Sequence, residues 1–300
     1  MGAKNHAIVM PDADREDTIN ALVGACYGST GQRCMAISVA VPVTDKVADA
    51  LVEKLVPKIE ALKIGPSVDP SAEMGPLITS EHLNKVTGYI DEGVNEGAKL
   101  VVDGRNTKPS MQGYENGYFI GGSLFDNVTK DMSIYKNEIF GPIMTVNSFN
   151  SECEVIKLAN MSGYGLSASI FGKNKQKMKF IADRLKVGSI CFNDVLTHYG
   201  MADLPFGGAG LSGIGKVHGK EGLRAFSMQK SYLSNKVSLK SEFWWFEKRE
   251  NFGKLIKSHC KQIISRKYTC FISPNSANSL PRPSCFCSIN YIIVKKCCSM

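Results

Sequence analysis

Three hundred residues, 43% apolar and 21% charged, suffice for one large core or two moderate ones and exclude a disordered or fibrous chain. The formal charge of +8 sits in the tail: Lys236–Met300 carries +9, and the residues before it carry −1. The body therefore lacks the basic surface that nucleic acid or an anionic membrane would need.

In chain order, HAIVM reads as the end of a buried strand. PDADREDTINALVGACYG reads as the helix after it, with Asp12 or Asp14 as cap and Ile19, Leu22 and Val23 as its apolar stripe. A second apolar strand, MAISVAVPV, follows Cys34. The next helix spans about Asp45 to Leu62, and Pro57 within it is expected to kink or split it. A helix at SEHLNKVTGYIDEGVNEG and a strand at AKLVVDG come next. The strands IMTVNSF, SASIF and GSICFND then alternate with the helices SECEVIKLAN and KQKMKFIADRL. This rhythm predicts βαβ units and an α/β fold with a largely parallel sheet. From about Lys261 the chain is turn-rich and is expected to be irregular. A chain that opens inside a βα unit, with no glycine-rich phosphate loop before it, reads as a truncated form.

Cys26, Cys34, Cys153 and Cys191 are scattered singly, as in a reduced intracellular protein, whereas six more cysteines crowd the region after Ser258. Their CFC and CC spacings do not match a structural zinc site, so no metal is expected. The opening MGAKNHAIVMPDAD is too polar for a secretory signal, and INYIIV is too short to span a bilayer. A cytoplasmic location is expected, with the mitochondrial matrix as the alternative in a eukaryote.

The segment GQRCMA, residues 31–36, places a thiol in a glycine-flanked turn directly after Arg33. Positive charge and backbone amides are what a reactive thiolate needs, and the amides around Cys34 are also suited to hold an oxyanion. Burial as a small apolar residue opening a strand is the other reading. Glu138 reads either as a solvated loop carboxylate or as a binding group, and Phe140 either as a core aromatic or as a wall. PFGGAGLSGIG lacks the strand–helix context of a phosphate loop. His198 lies in NDVLTHYG and suggests a Cys–His pair.

GQRCMAISVAV, EIFGP at 138–142 and LPFGGAGLSGIGK at 204–216 together resemble the aldehyde dehydrogenase superfamily, over about residues 2–245. Residues 2–150, with GAKNHAIVMPDAD, LVPKIEALKIGP, MGPLIT and YENGYFIGG, resemble its methylmalonate-semialdehyde branch. Residues 160–245 are more similar to general and fatty-aldehyde members. The resemblance implies that residues 1–33 end a Rossmann-like cofactor domain and that 34–208 form the catalytic domain. It further implies that 209–245 return to the cofactor domain, with an oligomerising strand within 226–239, and it leaves 246–300 as a basic, cysteine-rich tail. It implies that Cys34 attacks an aldehyde, that NAD takes the hydride, and that coenzyme A takes the acyl group. Glu138 would bind the nicotinamide ribose, Phe140 would brace the ring, and Phe206 would line the substrate funnel. His198 would be a funnel-wall or surface residue. A homo-oligomer, or a chain completed by a missing N-terminal half, is implied as well. The alternatives are a hydrolytic aldehyde dehydrogenase of broad specificity and a non-catalytic accessory chain.

Overall fold

The computed structural model describes residues 2–234. The expected tail, 246–300, lies outside the described residues. Chain order is β1 (Asn5–Val9), α1 (Arg15–Tyr27), β2 (Ile37–Pro42), α2 (Asp45–Glu60), α3 (Ser80–Asn95), β3 (Lys99–Val102), β4 (Ser123–Asp126), α4 (Ser133–Lys136), β5 (Ile143–Val146) and α5 (Glu152–Ala159). It continues with β6 (Tyr164–Gly165), β7 (Ser167–Phe171), α6 (Lys175–Ala182), β8 (Ser189–Phe192), β9 (Ala209–Gly210) and α7 (Gly219–Ala225).

Seven strands form one sheet in the order β3-β4-β5-β2-β1-β7-β8. Only the β3–β4 pairing is antiparallel, as an α/β fold with a mostly parallel sheet requires. Side-chain alternation along the strands sorts the core into two faces. Ala7, Val9, Ile37 and Ala40 pack under Ile19 and Leu22 of α1 and Leu51, Leu55 and Ile59 of α2. Ile8, Val39 and Val41 pack on the opposite face, with Val86 and Ile90 of α3, Val155 of α5 and Ile181 of α6.

Local signals in the sequence explain where the helices begin. Asp14 is the N-cap of α1, its Oδ1 accepting from the Glu16 and Asp17 amides at 3.1 and 3.2 Å. Asp14→Ala is expected to lower stability by about 1 kcal/mol, measured by urea unfolding. Helix α2 runs unbroken through Pro57 to Glu60, contrary to the expected split. Pro57 is exposed, so the carbonyl its ring deprives of a donor faces water.

Strand β1 lies in the middle of the sheet, paired in parallel with β2 on one side and β7 on the other. Residues 5–9 are thus continuous with the sheet built by residues 37–42 and 167–171, and no break follows residue 33. One compact unit covers Met1–Gln229. Within it, β9 pairs with β6, and Phe206 and Val217 exchange backbone hydrogen bonds at 2.8 and 2.7 Å. Residues 226–234 form no strand, and the remainder of the candidate oligomerising strand lies outside the described residues. No helix among the described residues is long and apolar enough to cross a membrane.

Candidate active site

Cys34 lies just before β2, Glu138 and Phe140 lie before β5, and Ala3 and Lys4 lie before β1. These three strands are parallel, so their starts share one edge of the sheet. Ligands of open α/β sheets usually bind at the carboxyl ends of the strands. Here the candidate residues gather at the amino ends, brought together by the turns that lead into the strands.

The turn before Cys34 is strained. Ser29, Thr30 and Gly31 are consecutive left-handed residues, with φ of +51°, +57° and +66°. Such a conformation costs an L-residue about 1–2 kcal/mol, so neighbours must hold it. The Gln32 amide donates to Ser29 O at 2.9 Å, Thr30 Oγ1 donates to Gly75 O at 2.7 Å, and Arg33 Nε donates to Ser29 Oγ at 2.9 Å. Gly31 also touches the second loop: a Cβ there would stand 2.2 Å from Gly141 O. The two loops are therefore in backbone contact.

Between them lies a narrow cleft lined by Ala3, Arg33, Cys34, Ser38, Glu138 and Phe140, among others. Cys34 is exposed, whereas Cys26 and Cys191 are buried. The strand-opening burial considered for Cys34 thus belongs to Met35 and Ala36, which follow it. Glu138 Oε1 accepts the Ala3 N–H at 2.8 Å, and Oε2 has no hydrogen-bond partner among the described residues. Phe140 is 37% exposed at φ +60°, a left-handed position rarely given to a bulky side chain. His82 Nε2–H donates to its carbonyl at 2.6 Å, and the two rings meet edge to face.

Two buried groups hold the approach to Glu138. Lys4 Nζ donates to Ile134 O at 2.7 Å and Asn137 O at 2.9 Å. Burial pushes its pKa down to about 7, opposed weakly by Cys26 and Glu138. A neutral amine carries two N–H donors, matching the two carbonyls. His6 is held at about 4, by burial first and by the charge of Lys4 second. Its ring lies 2.9 Å from Tyr135 Oη, which donates its own proton to Leu158 O at 3.1 Å. His6 Nε2 is therefore the donor in that contact.

Phe206 is buried in a small cluster with Ala3, Met35 and Leu166. That cluster includes Met35, the residue after Cys34, and Phe206 is not among the residues lining the cleft. His198 does not serve Cys34. Its Nδ1 lies 3.0 Å from Cys191 Sγ, and its ring packs 5.6 Å from that of Phe206. Lys4 and His82 escaped sequence reasoning, because their partners are backbone carbonyls distant in the chain; a lysine beside a buried strand was the one available signal.

A family model described as the aldehyde dehydrogenase family matches residues 1–232. The sequence is 50% identical over 232 residues to malonate-semialdehyde dehydrogenase of Pseudomonas aeruginosa, covering 77% of this chain and 46% of that protein. It is 39% identical over 236 residues to the acylating mitochondrial methylmalonate-semialdehyde/malonate-semialdehyde dehydrogenase of Mus musculus, covering 78% and 43%. In three dimensions it is similar to betaine aldehyde dehydrogenase of Staphylococcus aureus in complex with NAD+. There the TM-score is 0.72 at 34% identity, over 80% of this chain and 48% of that one. The chain thus spans just under half the length of these relatives, and its likeness to the semialdehyde branch extends past the 2–150 expected from motifs. A match of this extent, in sequence and in the course of the sheet, places the chain in the aldehyde dehydrogenase family.

Proposed function

We propose that this chain carries the thiol chemistry of an NAD-dependent oxidation of a short semialdehyde, with Cys34 as nucleophile and coenzyme A as acyl acceptor. The supporting observation is the cleft itself, which sets an exposed thiol beside Glu138 and Phe140, two residues far from it in sequence.

Cys34 Sγ, as thiolate, attacks the aldehyde carbon, and the carbonyl oxygen takes the negative charge. The Cys34 amide N–H, which has no acceptor among the described residues, is available to that oxygen. NAD, when bound, supplies the acceptor for the hydride that leaves as this oxyanion collapses. The acyl group then remains on Cys34 as a thioester, and attack by the coenzyme A thiolate releases it and restores the cysteine. The residues present fit the cofactor: the unpartnered Oε2 of Glu138 can accept from a ribose hydroxyl, and the exposed ring of Phe140 offers a flat wall. Arg33, which lines the same cleft, can pair with the carboxylate of a malonate-type semialdehyde, the substrate class that the relatives' names give. The acylating chemistry follows the name of the mouse relative, which that name places in mitochondria.

Brief iodoacetamide treatment followed by peptide mass spectrometry should label Cys34 well ahead of Cys153, with Cys26 and Cys191 slower still. Equal labelling of Cys34 and Cys153 would remove the nucleophile assignment. Incubation with malonate semialdehyde, NAD and coenzyme A should yield an acyl thioester. Free acid as the product would replace coenzyme A by water as the acceptor.

A further inference from the structure

Asn5 is a polar residue at the start of an apolar strand, NHAIV, and is only 1% exposed. A buried amide is costly unless its donors and acceptor are all used. Here they are. Nδ2 donates to Cys34 O at 2.8 Å and to Ala36 O at 2.9 Å, and Oδ1 accepts the Ser167 N–H at 3.2 Å. Both donated bonds go to the segment that carries the candidate nucleophile, and the third fixes Asn5 to β7.

The sheet is irregular at the same place. Pairing steps from Asn5↔Ile37 to His6↔Val39, so β2 holds one extra residue, Ser38, opposite the Asn5–His6 step. Such bulges re-aim side chains, and Ser38 is among the residues lining the cleft. The Cys34 carbonyl is also an end of the peptide plane that joins Cys34 to Met35. Fixing that oxygen fixes the plane, because the peptide unit is rigid and trans. The Cys34 Cα, which lies in that plane, is then placed relative to Asn5, while Ala3, two residues upstream, holds Glu138. The short stretch from Ala3 to Asn5, which leads into β1, thereby ties both walls of the cleft.

We infer that Asn5 is a positioning residue for Cys34, holding the thiol in register with the Glu138–Phe140 wall through the Cys34 and Ala36 carbonyls. This rests on the nucleophile reading of Cys34. It does not make Asn5 a group that touches substrate. Its contribution is orientational, and small displacements of a reacting group have large effects on rate.

The test compares iodoacetamide labelling of Cys34 with that of exposed Cys153 in the same molecules, across a range of pH. The samples are the unsubstituted chain, Asn5→Ala, Asn5→Asp and Asn147→Ala. Asn5→Asp keeps the shape and the acceptor for Ser167, but it has no donor when ionised and only one for the two carbonyls when protonated. Asn147→Ala removes a different buried amide, one bonded to Val128 O at the far end of β5. In both Asn5 variants the Cys34-to-Cys153 rate ratio should fall about tenfold, the worth of roughly one hydrogen bond. The pH profile of Cys34 labelling should also move towards that of Cys153. Asn147→Ala should lose comparable thermal stability with the ratio unchanged. A ratio within about twofold of the original in a folded Asn5 variant would overturn the inference, as would an equal fall in Asn147→Ala. Asn5→Ser, whose hydroxyl cannot span both carbonyls, serves the same comparison should the other two fail to fold. Failure of the unsubstituted Cys34 to outpace Cys153 is a separate result, and it counts against the nucleophile reading alone.

Discussion

Replacing Gly31 by alanine is expected to lower stability by about 3 kcal/mol or more, and to slow the labelling of Cys34 in the same sample. Two causes add. At φ +66° an L-residue is strained whatever the space around it. The new methyl would also stand 2.2 Å from Gly141 O, a backbone atom that cannot swing aside as a side chain can. Nor can that loop retreat, because Gly141 already backs onto Val86, where a Cβ of its own would meet Cγ2 at 2.5 Å. The strain must therefore be relieved on the Gly31 side, by the cysteine turn moving away from Gly141, which opens the cleft. Gly88→Ala is the opposite case. Gly88 lies inside α3, and a Cβ there meets nothing within 4 Å, so alanine should stabilise by about 0.5–1 kcal/mol. Urea midpoints of the two variants should move in opposite directions; a shift of the same sign in both would contradict the loop-contact argument.

The second large effect is a two-step dependence of stability on pH. His6 ionises near 6.5 in the unfolded chain but only near 4 when folded. Between those values the unfolded state binds the extra proton, so the His6 contribution to stability is full above pH 6.5 and is lost as the pH drops towards 4. The loss is on the order of 3 kcal/mol. Lys4 acts in the same direction at higher pH. Its folded pKa, about 7, lies below the ordinary 10.5, so the unfolded state holds more protons through this interval. Stability should rise by about 2 kcal/mol between pH 7 and 9. Beyond that Cys26 opposes it, since burial pushes its thiol pKa up from an ordinary 9 and ionisation then favours the unfolded chain. Urea unfolding at half-unit intervals of pH measures both limbs. His6→Leu should flatten the acid limb and Lys4→Met the limb above pH 7. An acid limb unchanged in His6→Leu would show that some other group is responsible.

Much of the fold could be read from hydropathy period alone. Helices α1, α2, α3, α5 and α6, and five of the seven strands of the main sheet, lie within the segments named from sequence, and β1 begins one residue before its segment. Strand β4 was missed because SLFD, between two glycines and Asn127, offers only Leu124 and Phe125 as an apolar signal. α4 and the two-residue strands β6 and β9 escaped for the same reason. The site was legible only in part. A thiol flanked by glycine and arginine is a local signal, and Cys34 carried it. Its meeting with Glu138 and Phe140 is produced by the sheet order, in which β5 lies beside β2, and period cannot reveal that order. For His198 the sequence suggested a thiol partner, but the fold chose Cys191, seven positions away, over the exposed cysteine. Asn5 gave no signal beyond its polarity, since what it holds are carbonyl oxygens, and every residue carries one of those.

The run from Ser29 to Gly31 has a stereochemical corollary. For a mirror-image amino acid the basin these three residues occupy is the comfortable one, and at position 31 its Cβ would leave the backbone on the side opposite Gly141 O. Semisynthesis with D-residues at these positions would therefore stiffen the approach to the thiol, where every encoded substitution except glycine strains it.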